Sequence, residues 1–199
     1  MNALATDAWA QVLALWPWEA LAVALALAYL VLAIRENAWC WPAGIASTAI
    51  YLALFFRARL YAEAALQVFY IAISVYGWQR WARPARQPPV VRWSPARHAR
   101  ALSLIAALAV ANGAALAAYT PAALPYLDAL VAWASVVTTW MVARKVLENW
   151  LYWFVIDAVS IGIYASRGLW LTAALFVLYL VLIVRGYARW RQRLEARAT

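Results

Sequence analysis

The sequence contains few of the side chains that enzymes use for chemistry. Its 199 residues include one cysteine and one histidine. The lone Cys40 excludes an internal disulfide and a thiolate metal cluster, and such a thiol most often serves as a small buried apolar group. The chain also lacks a Gly-x-Ser-x-Gly motif, paired histidines at metal-ligand spacing and a phosphate-binding loop. We therefore expect a protein that is not an enzyme, needs no cofactor and does not itself hydrolyse ATP.

Charged residues are also scarce, and apolar residues take their place. Only 13% of the residues are charged and 68% are hydrophobic, whereas soluble domains average about 25% and about 45–50%. Apolar stretches close to the roughly 20 residues that cross a bilayer recur along the chain. We therefore predict an all-α integral membrane protein with seven transmembrane helices, the first being permanent rather than a cleaved signal. The predicted spans are 18–34, 39–56, 60–81, 98–119, 123–142, 149–166 and 169–187.

The positive charges predict how the chain is oriented in the membrane. Basic loops stay on the cytoplasmic side, and an outside amino terminus places 14 of the 17 cations inside, leaving Arg57, Arg59 and Arg167 outside. We therefore predict an inner-membrane protein with its amino terminus outside and its carboxyl terminus in the cytoplasm. The net charge of +9 then reflects topology and attraction to anionic lipid rather than nucleic-acid binding. The proline- and arginine-rich segment 82–97 predicts an extended, solvated linker.

The chain resembles itself in two registers. In the first, a spacing of 112 in the numbering pairs Glu36, Asn37 and Trp41 before and in the second span with Glu148, Asn149 and Trp153 at the sixth. In the second, a spacing of 109 pairs Tyr70, Gly77 and Trp81 of the third span with Tyr179, Gly186 and Trp190 of the seventh. The difference of three predicts a three-residue insertion before the sixth span and a matching deletion after it. Spans one to three therefore repeat as spans five to seven.

The fourth span predicts how the two repeats are related. Because one span separates them, both triplets cross the membrane in the same direction, in a 3+1+3 arrangement of parallel repeats. The corresponding division is 1–83 for the first three-helix bundle, 84–122 for the basic linker and fourth helix, and 123–199 for the second bundle and the basic tail. In transporters built from such repeats, substrate binds near mid-membrane between the halves.

The repeat also separates residues that serve the fold from residues that serve a ligand. A residue kept in both repeats favours a structural role, whereas a polar residue in one repeat favours an asymmetric ligand. One face of the third span carries Glu63, Gln67, Tyr70, Ser74 and Gly77. Glu63, Gln67 and Ser74 have no equivalent in the seventh span, and Tyr70 and Gly77 are repeated. Glu63 also suits an interfacial or helix-start role.

The sixth span has a similar face that includes Asn149, Trp153, Asp157 and Tyr164. At the spacing of 112, Asp157 replaces Ile45. Asp157 lies roughly 12 Å inside the helix start, where a carboxylate costs at least about 2.5–3.5 kcal/mol and usually marks a substrate or ion path. The alternative is that Asp157 accepts a hydrogen bond from a Trp or Tyr of a neighbouring helix.

Three motifs resemble those of one known family. LYAEAALQ at 60–67, YGWQRW at 76–81 and ENWLYW at 148–153 are similar to motifs of the PnuC family of vitamin transporters, and the resemblance covers nearly the whole chain. It implies a SWEET-like fold and a homotrimer with one pathway per protomer. It also implies facilitated diffusion of nicotinamide riboside, thiamine or riboflavin, with a cytosolic kinase that traps the vitamin by phosphorylation.

The motifs and the helical faces together give the predicted site. The resemblance implies that the Tyr-Gly-Trp segment lies near an inner gate, and tryptophans at helix starts suit stacking on a flat ring or a cation. The predicted substrate-binding residues are Asn37, Trp41, Glu63, Gln67, Tyr70, Ser74, Asn149, Trp150, Trp153 and Asp157. The predicted gate residues are Tyr76, Trp78 and Tyr164.

Two positions bear on which vitamin is carried. The resemblance implies that carriers of nicotinamide riboside tend to have asparagine where this chain has Ser74 and Asp157. Asparagine amides would suit the carboxamide of nicotinamide riboside, whereas an acidic residue suits a permanent cation. Nicotinamide riboside and thiamine are both cationic, so charge alone does not separate them. The sequence favours thiamine slightly, then nicotinamide riboside, then riboflavin. Two other functions stay open, a sugar carrier of the same fold and a non-transporting receptor or scaffold that recruits cytosolic partners through its basic linker and tail.

Overall fold

Helices make up most of the chain. The computed structural model describes residues 2–57, 61–83, 87–121, 124–166 and 170–197. Over these ranges the helices are α1 (Asn2–Ile34), α2 (Cys40–Arg57), α3 (Tyr61–Trp81), α4 (Pro95–Tyr119), α5 (Pro125–Ala143), α6 (Asn149–Ser166) and α7 (Trp170–Glu195). The seven helices confirm the predicted all-α class. The predicted span starts at 60, 123 and 169, the outward Arg59 and Arg167, and linker residues 84–86 lie outside the described residues.

The first helix is longer than predicted. The sequence placed its start at Trp18, but α1 begins at Asn2 and continues through Pro17. Residues 2–16 are rich in alanine and leucine, which have high helix propensity. The helix therefore extends beyond the apolar stretch that marks the membrane span.

Five of the described helices are long and apolar enough to cross a membrane by length and composition. Their apolar windows are Pro17–Ile34, Cys40–Arg57, Pro95–Tyr119, Pro125–Ala143 and Ala173–Glu195. The remaining two, α3 and α6, carry polar side chains within their apolar sequence, among them Gln67, Ser74 and Asp157. The less apolar helices are thus the ones that hold most of the predicted site residues.

The chain forms two compact units that divide between Ala82 and Arg83. In the first unit, α1 packs on α2 and α2 packs on α3. In the second unit, α4 packs on α5, α5 on α6 and α6 on α7. The fourth helix is grouped with the second unit in this division. The separate segment 84–122 for the linker and this helix stays a prediction.

The contact between α4 and α5 uses a stripe of mostly small residues. Ala101, Ile105, Ala109 and Gly113 are buried at intervals of four on α4. A Cβ atom at Gly113 would lie 2.5 Å from Cδ1 of Tyr126 on α5. Glycine at this position therefore lets the two helices approach closely, as small residues do in membrane helix pairs.

The segment before α4 is attached to the turn between α5 and α6. The Val91 N–H donates to the carbonyl of Lys145 at 3.0 Å, and the Leu147 N–H donates to the carbonyl of Val91 at 2.8 Å. The side chain of Val90 is 4% exposed. The prediction of a solvated linker is therefore wrong for Val90, whose side chain is buried. Val91 is 36% exposed and is attached through its backbone groups.

The helices of the two units repeat at one spacing. The spacing of 109 relates both ends of α2, at Cys40 and Arg57, to the ends of α6, at Asn149 and Ser166. It also relates the end of α1 at Ile34 to the end of α5 at Ala143. The register that relates α3 to α7 therefore also relates α1 to α5 and α2 to α6.

The turns that precede α2 and α6 follow the same spacing. Glu36 and Lys145 both have positive φ, at 56° and 52°. The N–H that follows each of them bonds back five residues, from Asn37 to Leu32 at 2.9 Å and from Val146 to Met141 at 3.0 Å, as in a Schellman motif. The predicted three-residue insertion is therefore wrong. The shared Glu-Asn pair is a local similarity at non-equivalent places.

Candidate functional site

Two tryptophan pairs occupy equivalent places in the two units. The rings of Trp41 and Trp81 meet edge-on at 5.3 Å in the first unit, and those of Trp150 and Trp190 do so at 5.3 Å in the second. Trp41 is 0% exposed and Trp150 is 1% exposed. Both rings are enclosed and recur in the repeat, which favours a role in the fold. That Trp41 and Trp150 stack on a substrate stays a prediction.

The single spacing also changes the equivalents of the α6 residues. Asp157 corresponds to Thr48 rather than to an isoleucine, and Trp153 corresponds to Gly44 rather than to a tryptophan. The Thr48 hydroxyl donates to the carbonyl of Gly44 at 2.8 Å. Both Asp157 and Trp153 therefore belong to one unit alone, which keeps them as candidates for contact with an asymmetric ligand.

On α3, two polar side chains are buried without a polar partner. Gln67 is 9% exposed and Ser74 is 3% exposed, and neither side chain is hydrogen-bonded to another described residue. By contrast, the buried hydroxyl of Ser47 donates to the carbonyl of Ala22 at 2.8 Å. Buried polar side chains are usually hydrogen-bonded, either to the protein or to water. Gln67 and Ser74 are therefore candidates to bond a ligand or water, and Tyr70 lies between them, half-buried.

On α6, the acidic side chain is buried and unpaired. Asp157 is 4% exposed, and no described residue pairs with its carboxylate. The alternative of a hydrogen bond from a neighbouring Trp or Tyr is therefore not realised within the described residues. Asn149 is fully buried at the start of the helix, where its Nδ2 donates to the carbonyl of Val146 at 2.6 Å and its Oδ1 has no partner among the described residues. Trp153 lies between them along the helix, half-buried.

Two predicted binding residues lie on the surface of the first unit. The Asn37 Oδ1 accepts a hydrogen bond from the Trp39 N–H at 2.9 Å, which stabilises the turn before α2. Glu63 is exposed in the first turn of α3, where the helix dipole favours an acidic residue. Local structure thus explains both side chains without a ligand.

The predicted gate residues Tyr76 and Trp78 lie near the end of α3, and each contacts another residue of the first unit. The Arg80 guanidinium lies 5.6 Å from the centre of the Tyr76 ring, an arrangement typical of a cation–π contact. The Trp78 ring meets Trp39 edge-on at 5.6 Å. Both rings are therefore held by neighbours of the same unit.

The third predicted gate residue, Tyr164, packs against α7. Its ring centre lies 5.1 Å from that of Phe176, which in turn lies 5.4 Å from that of Tyr179. Phe176 is the equivalent of Gln67. At the position where the first unit has a buried amide, the second unit therefore has an aromatic cluster.

A polar cluster in the second unit was missed in the sequence. His98 Nδ1 lies 3.0 Å from the Tyr152 hydroxyl, and His98 Nε2 lies 3.9 Å from Glu148 Oε2. The Trp93 N–H donates to the same Glu148 oxygen at 3.2 Å. The spacing of Glu148 and Tyr152 predicts that they share a helical face, but their contact with His98 depends on the fold. The cluster connects α4 to the start of α6.

These side chains are suited to binding rather than to bond-breaking chemistry. The described residues contain no group of three or more His, Cys, Asp or Glu that could hold a metal ion. In the first unit the buried polar candidates are the amide of Gln67 and the hydroxyl of Ser74. In the second unit they are the carboxylate of Asp157 and the amide of Asn149, beside the half-buried Trp153. Groups of these kinds can bind polar or positively charged molecules.

Comparison with known proteins identifies the family. A family model described as nicotinamide mononucleotide transporter matches residues 16–192. This chain belongs to that family. It is 26% identical over 177 residues to the nicotinamide riboside transporter PnuC of Escherichia coli (strain K12), covering 74% of this chain and 73% of the relative. It is 28% identical over 181 residues to the riboflavin/roseoflavin transporter RibM of Streptomyces davaonensis, covering 87% and 84%.

A solved structure agrees with this assignment. The crystal structure of the vitamin B3 transporter PnuC matches with a TM-score of 0.67 at 20% identity, covering 90% of this chain and 82% of that chain. At this identity the match bears on the fold. The resemblance to PnuC found in the motifs is confirmed. The chain is a multi-pass membrane transporter and not an enzyme.

Proposed function

We propose that this transporter carries a positively charged aromatic vitamin or vitamin precursor. The observation that supports this most directly is Asp157, a carboxylate on α6 that is 4% exposed and unpaired among the described residues. A lone buried charge is strongly unfavourable unless an opposite charge joins it. A cationic substrate supplies that charge during transport, and Trp153 on the same helix supplies an aromatic face.

Nicotinamide riboside is the first candidate substrate. It is a cationic heteroaromatic, and the Escherichia coli relative is named for it. Thiamine, which the sequence put first, is also cationic and becomes the second candidate, because neither relative described above is named for it. Riboflavin is the third, since RibM is named for it, but its neutral ring gives Asp157 no charge to pair with.

We further propose how the carrier is built and how it works. All seven helices cross the inner membrane in a SWEET-like 3+1+3 arrangement, with the amino terminus outside, and three copies assemble as a homotrimer. Transport is facilitated diffusion, and a cytosolic kinase traps the product by phosphorylation. Such a carrier must bind substrate with similar strength in its outward- and inward-facing states, because a strong preference for either would stop the cycle.

Counterflow in proteoliposomes tests the proposed function. Vesicles that contain purified protein and are loaded with unlabelled nicotinamide riboside should accumulate the labelled vitamin without an ion gradient or ATP. Asp157→Asn should weaken exchange of nicotinamide riboside and thiamine but spare any exchange of riboflavin. Asp128→Asn, the same change in the first turn of α5, is the matched control and should leave all three rates unchanged.

The same assay separates the other functions. A sugar carrier would exchange labelled sugars, and unlabelled sugars would compete with the vitamins. A receptor or scaffold would show no counterflow with any vitamin, and cytosolic proteins would bind it whether or not a vitamin is present. Absence of exchange with nicotinamide riboside, thiamine and riboflavin would refute the vitamin carrier.

A further inference from the structure

The hydroxyl of Tyr29 on α1 is buried and has no hydrogen-bond partner among the described residues. The ring packs edge-on against Trp41, with centres 5.8 Å apart. Buried tyrosine hydroxyls usually find a partner, because desolvation without a hydrogen bond is unfavourable. The ring is therefore held by the first unit while its polar end is left unsatisfied.

The Tyr29 ring approaches the Ser74 hydroxyl across α2. A Cβ atom at Gly44 would lie 3.1 Å from Cδ2 of Tyr29 and 3.7 Å from Oγ of Ser74. Side chains from α1 and α3 thus converge on one point of the α2 backbone, where glycine leaves them room. Ser74 is 3% exposed and also lacks a described partner. The first unit therefore brings together two uncharged hydroxyls that have no hydrogen-bond partner among the residues the structure describes.

The second unit arranges the equivalent positions differently. Thr138 is the equivalent of Tyr29, and its hydroxyl donates to the carbonyl of Ala134 at 2.7 Å. Trp153 is the equivalent of Gly44. The first unit therefore has the larger residue on α1 (Tyr29) and glycine on α2 (Gly44). The second unit has the smaller residue on α5 (Thr138) and the aromatic ring on α6 (Trp153).

This exchange distinguishes Tyr29 from other buried groups without partners. The indole nitrogens of Trp41 and Trp150 also lack hydrogen-bond partners within the described ranges, but these two tryptophans are repeat equivalents and belong to the shared fold. Tyr29 has no such equivalent. Residues kept in both repeats favour a role in the fold, and polar residues present in one repeat favour contact with a ligand. By this criterion Tyr29 belongs with Gln67, Ser74 and Asp157.

We propose that Tyr29 contacts the substrate and determines specificity, its hydroxyl bonding an uncharged polar group, such as a hydroxyl or an amide, beside Ser74. The inference rests on the proposed function and adds a second requirement to it. Asp157 favours the positive charge, and Tyr29 favours a substrate that also carries a neutral hydrogen-bonding substituent. A cationic ring without such a substituent would then be bound less well.

Tyr29→Phe tests the inference, because it removes the hydroxyl and keeps the ring. Nicotinamide riboside, thiamine and riboflavin are each titrated against purified protein, with binding followed by tryptophan fluorescence and the melting temperature recorded in parallel. We expect Tyr29→Phe to weaken binding of the vitamin that the wild type binds by about three- to tenfold. The melting temperature should stay the same or rise, because an unsatisfied buried group is removed. Tyr119→Phe, at an 86% exposed position, should change neither.

Three results would overturn the inference. Unchanged affinity in Tyr29→Phe would show that the hydroxyl does not contact substrate, while the vitamin carrier itself would stand. A lower melting temperature in parallel with weaker binding would assign the hydroxyl a structural role. Failure of the wild type to bind any of the three vitamins would remove both the proposed function and this inference. As a further check, Ser74→Ala should weaken binding less in the Tyr29→Phe background than alone, because the two hydroxyls share one substrate group.

Discussion

Replacing Gly186 with alanine should destabilise the second unit, because the new methyl group meets a ring that cannot move freely. Its Cβ would lie 2.6 Å from carbons of the Trp150 ring. Trp150 is 1% exposed and packs against Trp190 at 5.3 Å. Forcing an extra methyl group into such packing costs about 1–3 kcal/mol, although alanine regains up to about 1 kcal/mol of helix propensity over glycine. Gly77→Ala should behave alike, because its Cβ would overlap Trp41.

A matched control separates the two contributions. A Cβ at Gly162 on α6 would meet nothing within 4 Å, so Gly162→Ala gains helix propensity without overlap. Thermal unfolding in detergent, followed by tryptophan fluorescence, should place Gly186→Ala below Gly162→Ala by about 1–3 kcal/mol, or on the order of 2–12 °C for a chain of this size. In the Trp150→Leu background, Gly186→Ala should lower the melting temperature by less than it does in the wild type, because the overlapping ring is gone. Equal melting temperatures for the two alanine variants would refute the packing described for Trp150.

Three more changes test the site and its supports. Gln67→Phe installs the residue of the equivalent α7 position, and it should raise the melting temperature but reduce vitamin exchange at least tenfold; unchanged exchange would exclude Gln67 from the transport path. Trp153→Phe should weaken vitamin binding with little change in melting temperature. Trp41→Phe should lower the melting temperature with little change in vitamin affinity. If both variants change affinity and melting temperature to the same extent, the assignment of Trp41 to the fold is contradicted. Glu148→Gln should speed amide hydrogen exchange at Trp93, and unaltered exchange there would show that the carboxylate does not hold that segment.

Element type and order could be predicted because apolar length dominates in a membrane. The starts of α4 and α5 were predicted at 98 and 123, whereas the helices begin at Pro95 and Pro125. Proline is favoured in the first helical turn, where its missing N–H is no loss. The start of α1 was missed because helix propensity continues the helix beyond the apolar stretch. The attachment of Val91 to the turn before α6 was missed because hydrogen bonds between distant segments leave no local pattern.

The polar candidates on α3 and α6 could be identified from the sequence, but not their equivalents in the repeat. Gln67, Ser74 and Asp157 share helical faces and stand out against apolar neighbours, which periodicity alone detects. The Glu-Asn pairs suggested a spacing of 112, whereas the turn geometry at Glu36 and Lys145 gives 109. The short identical string was given more weight than the longer register, so Trp41 was paired with Trp153 rather than with Trp150.

The repeat explains how one fold can serve different substrates. The paired tryptophans and the glycines against them recur in both units, so they stabilise each bundle whatever is carried. Gln67 stands where the other unit has Phe176, and Asp157 where it has Thr48. A buried polar group in place of an apolar or hydrogen-bonded one lowers stability, and we therefore propose that Gln67 and Asp157 serve function rather than folding. Relatives named for nicotinamide riboside and for riboflavin are then expected to differ at such unpaired positions more than at the paired ones.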